Sequence, residues 1–377
     1  MVFYDEKDLQ SLKRVLDSGA LNGGENFTVE FEERFAEEIG SKCAVSMNSA
    51  MSLLHAGIYA AGAGVGDEVI CDPIVQFSAL ATMYNNAVPV FADVDPDTYL
   101  MDADSARERI TERTKAIVCT NLWGYPAELE KLRNVADEHN LVLIEDCAHA
   151  LFASHKDKYA GMWGHIGVFS FCSGKHLPTG DGGMGVTDDE NLANRLRAVR
   201  IFGETPPELA WNLRMTALVA AVAMVQLERV KDYIALYNAN AKFYDDAIAD
   251  CEWIKMRYKA PYNEISSYHY ASAFYGDKHG IDYNDFKQAV QEVGCGVSFG
   301  FTQKPAYQYD LFRVPLAYGN KGCPTKCPWY EGDLDYNDGL CPNAEDLIPR
   351  LMTMGVRSEE GSRRSAELLR KAIEKIG

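Results

Sequence analysis

A chain of 377 residues with 47% apolar and 24% charged side chains exceeds one ordinary core, so two lobes are expected. Its net charge of −18 repels nucleic acid and anionic membrane from the surface as a whole, and no window approaches the ~18 uninterrupted apolar residues of a membrane span. The N-terminus lacks the basic and apolar regions of a signal peptide, and ten cysteines scattered through apolar runs suit a reducing cytoplasm.

In chain order, residues 6–19 predict a helix that stops at Ser18-Gly19. LNGGENF reads as a glycine-rich loop, and TVEFEERFAEEIG as a second helix with Thr28 as its N-cap. CAVSM is a short strand, after which Asn48-Ser49 caps a third helix. DEVICD, VPVFADVD, KAIVCTNL and LVLIEDC are β-rich runs separated by helical or loop segments, among them AELEKLRNVADEHN. Strands alternating with helices predict parallel βα units in an open doubly wound sheet. A charged helix starts near Asp188, and TALVAAVAMVQLERVKDYIALYNANAKFYDDAI is one long helical run. A lobe boundary near residue 245 divides a large domain, 1–245, from a smaller C-terminal α+β lobe, 246–377. In that lobe SYHYASAFY reads as strand, YNDFKQAVQEVG as helix, 300–342 as irregular and SEEGSRRSAELLRKAIEKI as a final helix. Cys323, Cys327 and Cys341 lie in the irregular segment without a fourth ligand at zinc spacing, so they read as structural thiols and no metal is expected.

The chemistry gathers around VFSFCSGKHLPTGDGGMGV, residues 168–186: a strand, a loop with one lysine, a glycine-rich turn and a second strand. A lysine in a tight, partly apolar loop loses proton affinity through burial and becomes an imine-forming nucleophile. A solvated loop lysine explains Lys175 equally well in isolation. Ligands of open α/β sheets bind at strand ends. Asp146 closes LVLIEDC, although taken alone it is a cap or loop acid. Asn48 to Ser52 open a helix whose amides can hold a phosphate, which ordinary capping also explains. Ser170 ends the strand before Lys175 and is either a further phosphate donor or a plain strand serine. Together an anion cradle, a buried carboxylate and a loop lysine are what pyridoxal 5′-phosphate requires. GDGGMG leads into a strand and not a helix, which excludes a dinucleotide fold.

The ordered motifs GVGDEVI, VPVFADVDPDTYLMD, NLWGYPAELEKLRNVADEHNLVLIEDCAHA, FSFCSGKHLPTGDGGMGVT, WNLRMTALVAAVAMVQLERV and CPNAEDLIPRLMTM run over nearly the whole chain. In them the chain resembles the DegT/DnrJ/EryC1/StrS family of pyridoxal phosphate-dependent sugar aminotransferases. The resemblance implies the type I fold of aspartate aminotransferase, a mixed, mostly parallel sheet flanked by helices. It makes Lys175 the Schiff-base residue, pairs Asp146 with the pyridinium and brings His149 to the ring hydroxyl, where glutamine is common in the family. Ser170 binds phosphate, Asn212 reaches the phosphate of a neighbouring subunit, and Arg214 meets substrate or forms a structural ion pair. A homodimer with shared active sites follows.

Two departures affect the cofactor residues. Ala50-Met51-Ser52 stands for the family's Gly-Thr-Ala, so Met51 and Ser52 donate backbone amides and Ser52 replaces the lost threonine hydroxyl. The ring-stacking aromatic is expected at Phe77, with Gln76 as the alternative. Asp181 replaces the usual glutamate in the glycine turn. The implied reaction moves an amino group from an amino acid, glutamate as the expected donor, through the pyridoxal and pyridoxamine forms of the cofactor to a keto-sugar. A nucleotide-linked keto-deoxysugar is the expected acceptor and a keto-cyclitol the alternative. A sugar dehydratase of this family carries histidine in place of the lysine, whereas here Lys175 is in register and His176 is its neighbour. A non-enzymatic regulatory relative is the remaining alternative.

Overall fold

The structure is a computed structural model that describes residues 4–23, 26–202, 209–314 and 322–376. Parts of the LNGGENF loop and of the irregular 300–342 segment therefore lie outside the described residues. The main sheet has seven strands in the order Cys43–Met47, Gly183–Thr187, Ile166–Ser170, Val142–Asp146, Thr114–Thr120, Glu68–Cys71 and Val88–Phe91. Gly183–Thr187 pairs antiparallel with both neighbours and the remaining pairings are parallel. Val118, Ile144 and Val168 are fully buried in adjacent strands, as expected for a sheet covered on both faces.

Local signals explain most element ends. The first helix, Glu6–Ser18, begins at Asp5, whose carboxylate accepts from the Lys7 amide at 2.9 Å, and ends at Gly19 in the left-handed region. Ser49 caps Ala50–Ala60, and Asp189 caps Glu190–Arg200. Thr28 is not the N-cap expected of the second helix. That helix starts one residue earlier, at Phe27, and Thr28 is buried inside it. The earlier start sets Phe27, Phe31 and Phe35 four residues apart on the buried face. Phe31 meets the Phe171 ring at 5.5 Å and Phe35 meets Phe169 at 5.3 Å, edge to face. Each such buried ring stabilises by about 1.5–3 kcal/mol, more than a cap typically contributes.

A second sheet, ordered Ile254–Met256, His269–Phe274, Leu351–Gly355 and Ser298–Phe299, is antiparallel throughout. Two apolar cores share the long helix Ala217–Ile248: Met224, Val230 and Ile234 belong to the first, and Tyr237, Tyr244 and Ile248 to the second. Residues 306–351 add Tyr307, Phe312, Tyr336 and Leu347 to the first core, although they follow residue 245 in sequence. Among its described residues the irregular segment contains short turns of helix at Ala306–Gln308 and Asp310–Arg313. No described helix is long and apolar enough to cross a membrane. Among the described residues no group of metal-binding side chains occurs, and Cys323, Cys327 and Cys341 form no disulfide.

Candidate active site

The parallel strands Glu68–Cys71, Thr114–Thr120, Val142–Asp146 and Ile166–Ser170 end on the same edge of the main sheet, and the chemistry-bearing side chains collect there. Asp146 is the last residue of Val142–Asp146 and pairs in register with Thr120 and Val168. Its side chain is buried, and Oδ1 accepts from the Ala148 amide at 3.0 Å. No other hydrogen bond to this carboxylate forms among the described residues. Burial raises its proton affinity, while the Ala148 amide and the Lys175 charge oppose that shift. Asp72, one strand beyond Thr120, accepts from the Thr120 hydroxyl and from the Ile74 and Val75 amides at 3.1 Å each. Burial pushes Asp72 up to about 6, with Asp146 adding to the effect.

Lys175 sits at the tip of a closed loop. Its amide donates to Cys172 O at 2.8 Å, Ser173 N donates to Gly180 O at 3.0 Å, and Thr179 N donates to Phe171 O at 2.8 Å. Gly180 and Gly182 both have positive φ, which closes the loop and turns the chain into Gly183–Thr187. A Cβ at Gly183 would lie 2.7 Å from Ala50 N and 2.8 Å from Phe169 O, so the glycine turn can seat against the start of the Ala50–Ala60 helix. His176 anchors the loop from the other side, with Nε2 at 3.1 Å from both Ser267 O and Ser266 Oγ. Lys175 Nζ lies 4.8 Å from the Tyr268 ring centre. Burial pushes the ammonium down to about 8, against the opposing pull of Asp146. The bland alternative of a solvated lysine does not describe this environment.

Tyr268 in turn stacks on His149, with ring centres 4.1 Å apart and planes at 15°. His149 Nδ1 accepts a long hydrogen bond, 3.5 Å, from the Trp123 amide, which leaves the ring proton on Nε2. Burial, with Lys175 next, holds His149 well below the usual histidine range, so the ring is neutral.

At the helix start, Ser49 Oγ accepts from the Ser52 amide at 3.1 Å, and Ser52 Oγ donates to Asn48 Oδ1 at 2.6 Å. Met51 is partly buried beside them in the first turn. Ser170 pairs with Gly183, and its hydroxyl has no partner among the described residues. Asn212 is exposed on a bridge to Ile201, and the Leu213 carbonyl accepts from Asn48 N at 2.7 Å. Arg214 donates to Asn212 Oδ1 at 3.2 Å and lies over Phe202, 5.9 Å from its centre. Both residues thus flank the helix start. Phe77 is exposed at the first position of Phe77–Tyr84, and Gln76 before it is exposed too, so neither ring-stacking candidate is engaged within this chain.

Lys175 and His149 therefore meet at Tyr268, with Asp146 close enough to act on the Lys175 charge, while Ser52, Ser170 and Asn212 border the adjoining helix start. An amine, a buried carboxylate with a free oxygen, and helix amides beside hydroxyls fit pyridoxal 5′-phosphate as a donor set. Sequence reasoning missed Tyr268, His176 as an anchor, and the Asp72–Thr120 pair beside Asp146. Thr120 and Asp72 end apolar strands and were open to the strand-end argument, whereas nothing in SYHY distinguishes Tyr268 from a strand tyrosine.

Residues 3–335 match the sequence profile of the DegT/DnrJ/EryC1/StrS aminotransferase family. Two proteins named GDP-perosamine synthase are similar: that of Escherichia coli O157:H7 is 34% identical over 63% of this chain and 67% of its own length, and that of Caulobacter vibrioides 37% over 62% and 65%. The aligned region is thus about two thirds of each relative. The L-glutamine:2-deoxy-scyllo-inosose aminotransferase of Streptomyces kanamyceticus is 33% identical over 79% of this chain and 74% of its own. Among solved structures, that of DesI in the presence of its TDP-sugar product superposes with a TM-score of 0.83 at 28% identity, covering 97% of this chain and 90% of that one. By profile, sequence similarity and fold, the chain belongs to the DegT/DnrJ/EryC1/StrS aminotransferase family and is a pyridoxal phosphate-dependent transaminase.

Proposed function

We propose that this transaminase moves an amino group from an amino acid to a nucleotide-linked keto-deoxysugar. The observation that carries the reading is Lys175: an amine with lowered proton affinity, held by a closed loop at the end of the strand next to Asp146. The GDP- and TDP-sugar chemistry in the names of similar proteins supports the acceptor class. In this reading Lys175 and Asp146 would hold the cofactor at its two reactive ends. Ser170 and the Met51 and Ser52 amides would hold its phosphate, with Asn212 supplied by a second subunit.

Pyridoxal 5′-phosphate bound there supplies a carbonyl that condenses with amines and a ring that takes up the electron pair released as a C–H bond breaks. The protein's part is proton management and exclusion of water. Asp146, the sole carboxylate among the charges acting on Lys175, would keep a proton on the ring nitrogen. With the cofactor bound, Lys175 Nζ would serve as the base that takes the proton from the donor's Cα and gives it back later in the reaction. The stacked His149 and Tyr268 rings would line one side of this space.

A homodimer is part of the proposal, because Phe77, Tyr84, Phe202 and Leu209 expose apolar surface and Phe202 lies against Arg214. Ten cysteines, none of them in a disulfide, support a reducing, cytoplasmic setting. The second reading, a keto-cyclitol acceptor with glutamine as donor, is favoured by the similarity to the scyllo-inosose enzyme. Product analysis after incubation with glutamate or glutamine and a panel of GDP- and TDP-linked keto-sugars and keto-cyclitols separates the two. Amination of a nucleotide-linked sugar is expected; amination of a cyclitol alone would replace the first reading with the second.

A further inference from the structure

We infer that Arg357 is the residue that binds an anionic group of a substrate in the Lys175 site, an inference that rests on the transaminase reading of that site. Gly355 pairs in register with His269, so the chain leaving the Leu351–Gly355 strand passes beside Tyr268. The Arg357 guanidinium lies 6.0 Å from the Tyr268 ring centre, on the ring that also faces Lys175 Nζ at 4.8 Å. Its one hydrogen bond among the described residues runs from Nη2 to the Lys175 carbonyl, at 3.1 Å. No carboxylate pairs with it among the described residues.

Arg109, Arg195, Arg214 and Arg257 also lack a carboxylate among the described residues, but of all the described arginines only Arg357 donates to the Lys175 loop. Arg113, Arg200, Arg229 and Arg350, which are also half-buried or buried, each meet a carboxylate within 3.1 Å. A chain of net charge −18 has carboxylates to spare, yet it leaves this guanidinium without one, beside a lysine whose charge its own field opposes. Lys175 and Arg357 thus set two cations side by side in the site. A planar guanidinium with free N–H groups matches a carboxylate or a phosphate, and either is offered by the substrates of this reaction. The donor brings a carboxylate and a nucleotide-linked acceptor brings a diphosphate. The shared chemistry is a pair of anionic oxygens.

The test uses the cofactor-loaded enzyme, its Arg357→Gln and Arg357→Lys variants, and two probes. L-glutamate is titrated while the visible band of the bound cofactor is followed, which isolates the donor half-reaction. GDP and TDP are titrated by calorimetry, which reads acceptor-side binding without turnover. Loss of a charge-assisted pair predicts a rise of about 10- to 100-fold in one of these constants for Arg357→Gln, and a smaller rise in the same constant for Arg357→Lys. A rise confined to glutamate supports the inference with the donor carboxylate as the anion. A rise confined to the nucleotides supports it with the diphosphate. Constants within about twofold of the unsubstituted enzyme for both probes overturn it. Failure of both variants to retain cofactor on Lys175 also overturns it, since Arg357 would then only support the loop. If the unsubstituted enzyme converts no donor at all, it is the reading of the Lys175 site that falls.

Discussion

The two buried charges of the site make opposite demands on pH. Lys175 is pushed down to about 8 from an ordinary value of 10.5, mainly by burial. In cofactor-free protein its charge therefore opposes folding below about pH 8, where both folded and unfolded chains hold the proton. The penalty is relieved as pH rises towards 10.5, because the unfolded chain then binds more protons than the folded one. Measured by denaturant unfolding, the stability of cofactor-free wild type relative to Lys175→Met should improve across that window; a difference independent of pH would contradict the lowered affinity. Asp146 faces the contrary problem, a carboxyl whose charge is disfavoured by burial and supported by the Ala148 amide and Lys175. Asp146→Asn preserves the shape and the Ala148 contact is replaceable, so folding should be nearly unchanged. Turnover should fall by at least about 100-fold, roughly 2.7 kcal/mol of barrier, because an amide cannot hold a pyridinium proton. Activity within about tenfold of wild type would assign that role to another group.

At the scale of elements, the glycine turn is what joins the lysine loop to the start of the Ala50–Ala60 helix. Gly183→Ala would drive a methyl group to 2.7 Å from Ala50 N and 2.8 Å from the Phe169 carbonyl, both backbone atoms that cannot swing away. We expect a loss of about 1–3 kcal/mol in unfolding stability together with weaker cofactor retention. Unchanged stability and unchanged retention would show that the turn and the helix start are not coupled. This is also where sequence reading succeeds and fails most clearly. The parallel strands, the capping serine and the lysine loop were legible, because apolar runs, caps and glycines act over a few residues. Thr28 misled because core packing of Phe27, Phe31 and Phe35 outweighed a local cap preference. The His176 clasp on Ser266 and Ser267 spans some 90 residues of chain, and the His149–Tyr268 stack more than a hundred, so no local pattern announces either. Arg357 was equally silent, since its meaning lies in the carboxylate it lacks.

For the whole molecule, the claim with the longest reach is that sites are shared between two copies. Asn212 is exposed, and its side chain accepts only from Arg214 among the described residues, beside a helix start in its own chain. If Asn212 serves a partner's cofactor, mixing Lys175→Ala with Asn212→Ala under subunit exchange should restore activity through heterodimers with one intact site. Asn212→Ala alone should cost about 1–3 kcal/mol, one donor among several. Verified heterodimers with no recovered activity would remove the shared site. Everything in the account nevertheless depends on one covalent bond, and that bond is measured directly. Purified protein reconstituted with pyridoxal 5′-phosphate, reduced with borohydride and digested, should yield a single phosphopyridoxyl-labelled peptide with the label on Lys175. A label on any other lysine, or none in protein that has bound the cofactor, would contradict the assignment of this site.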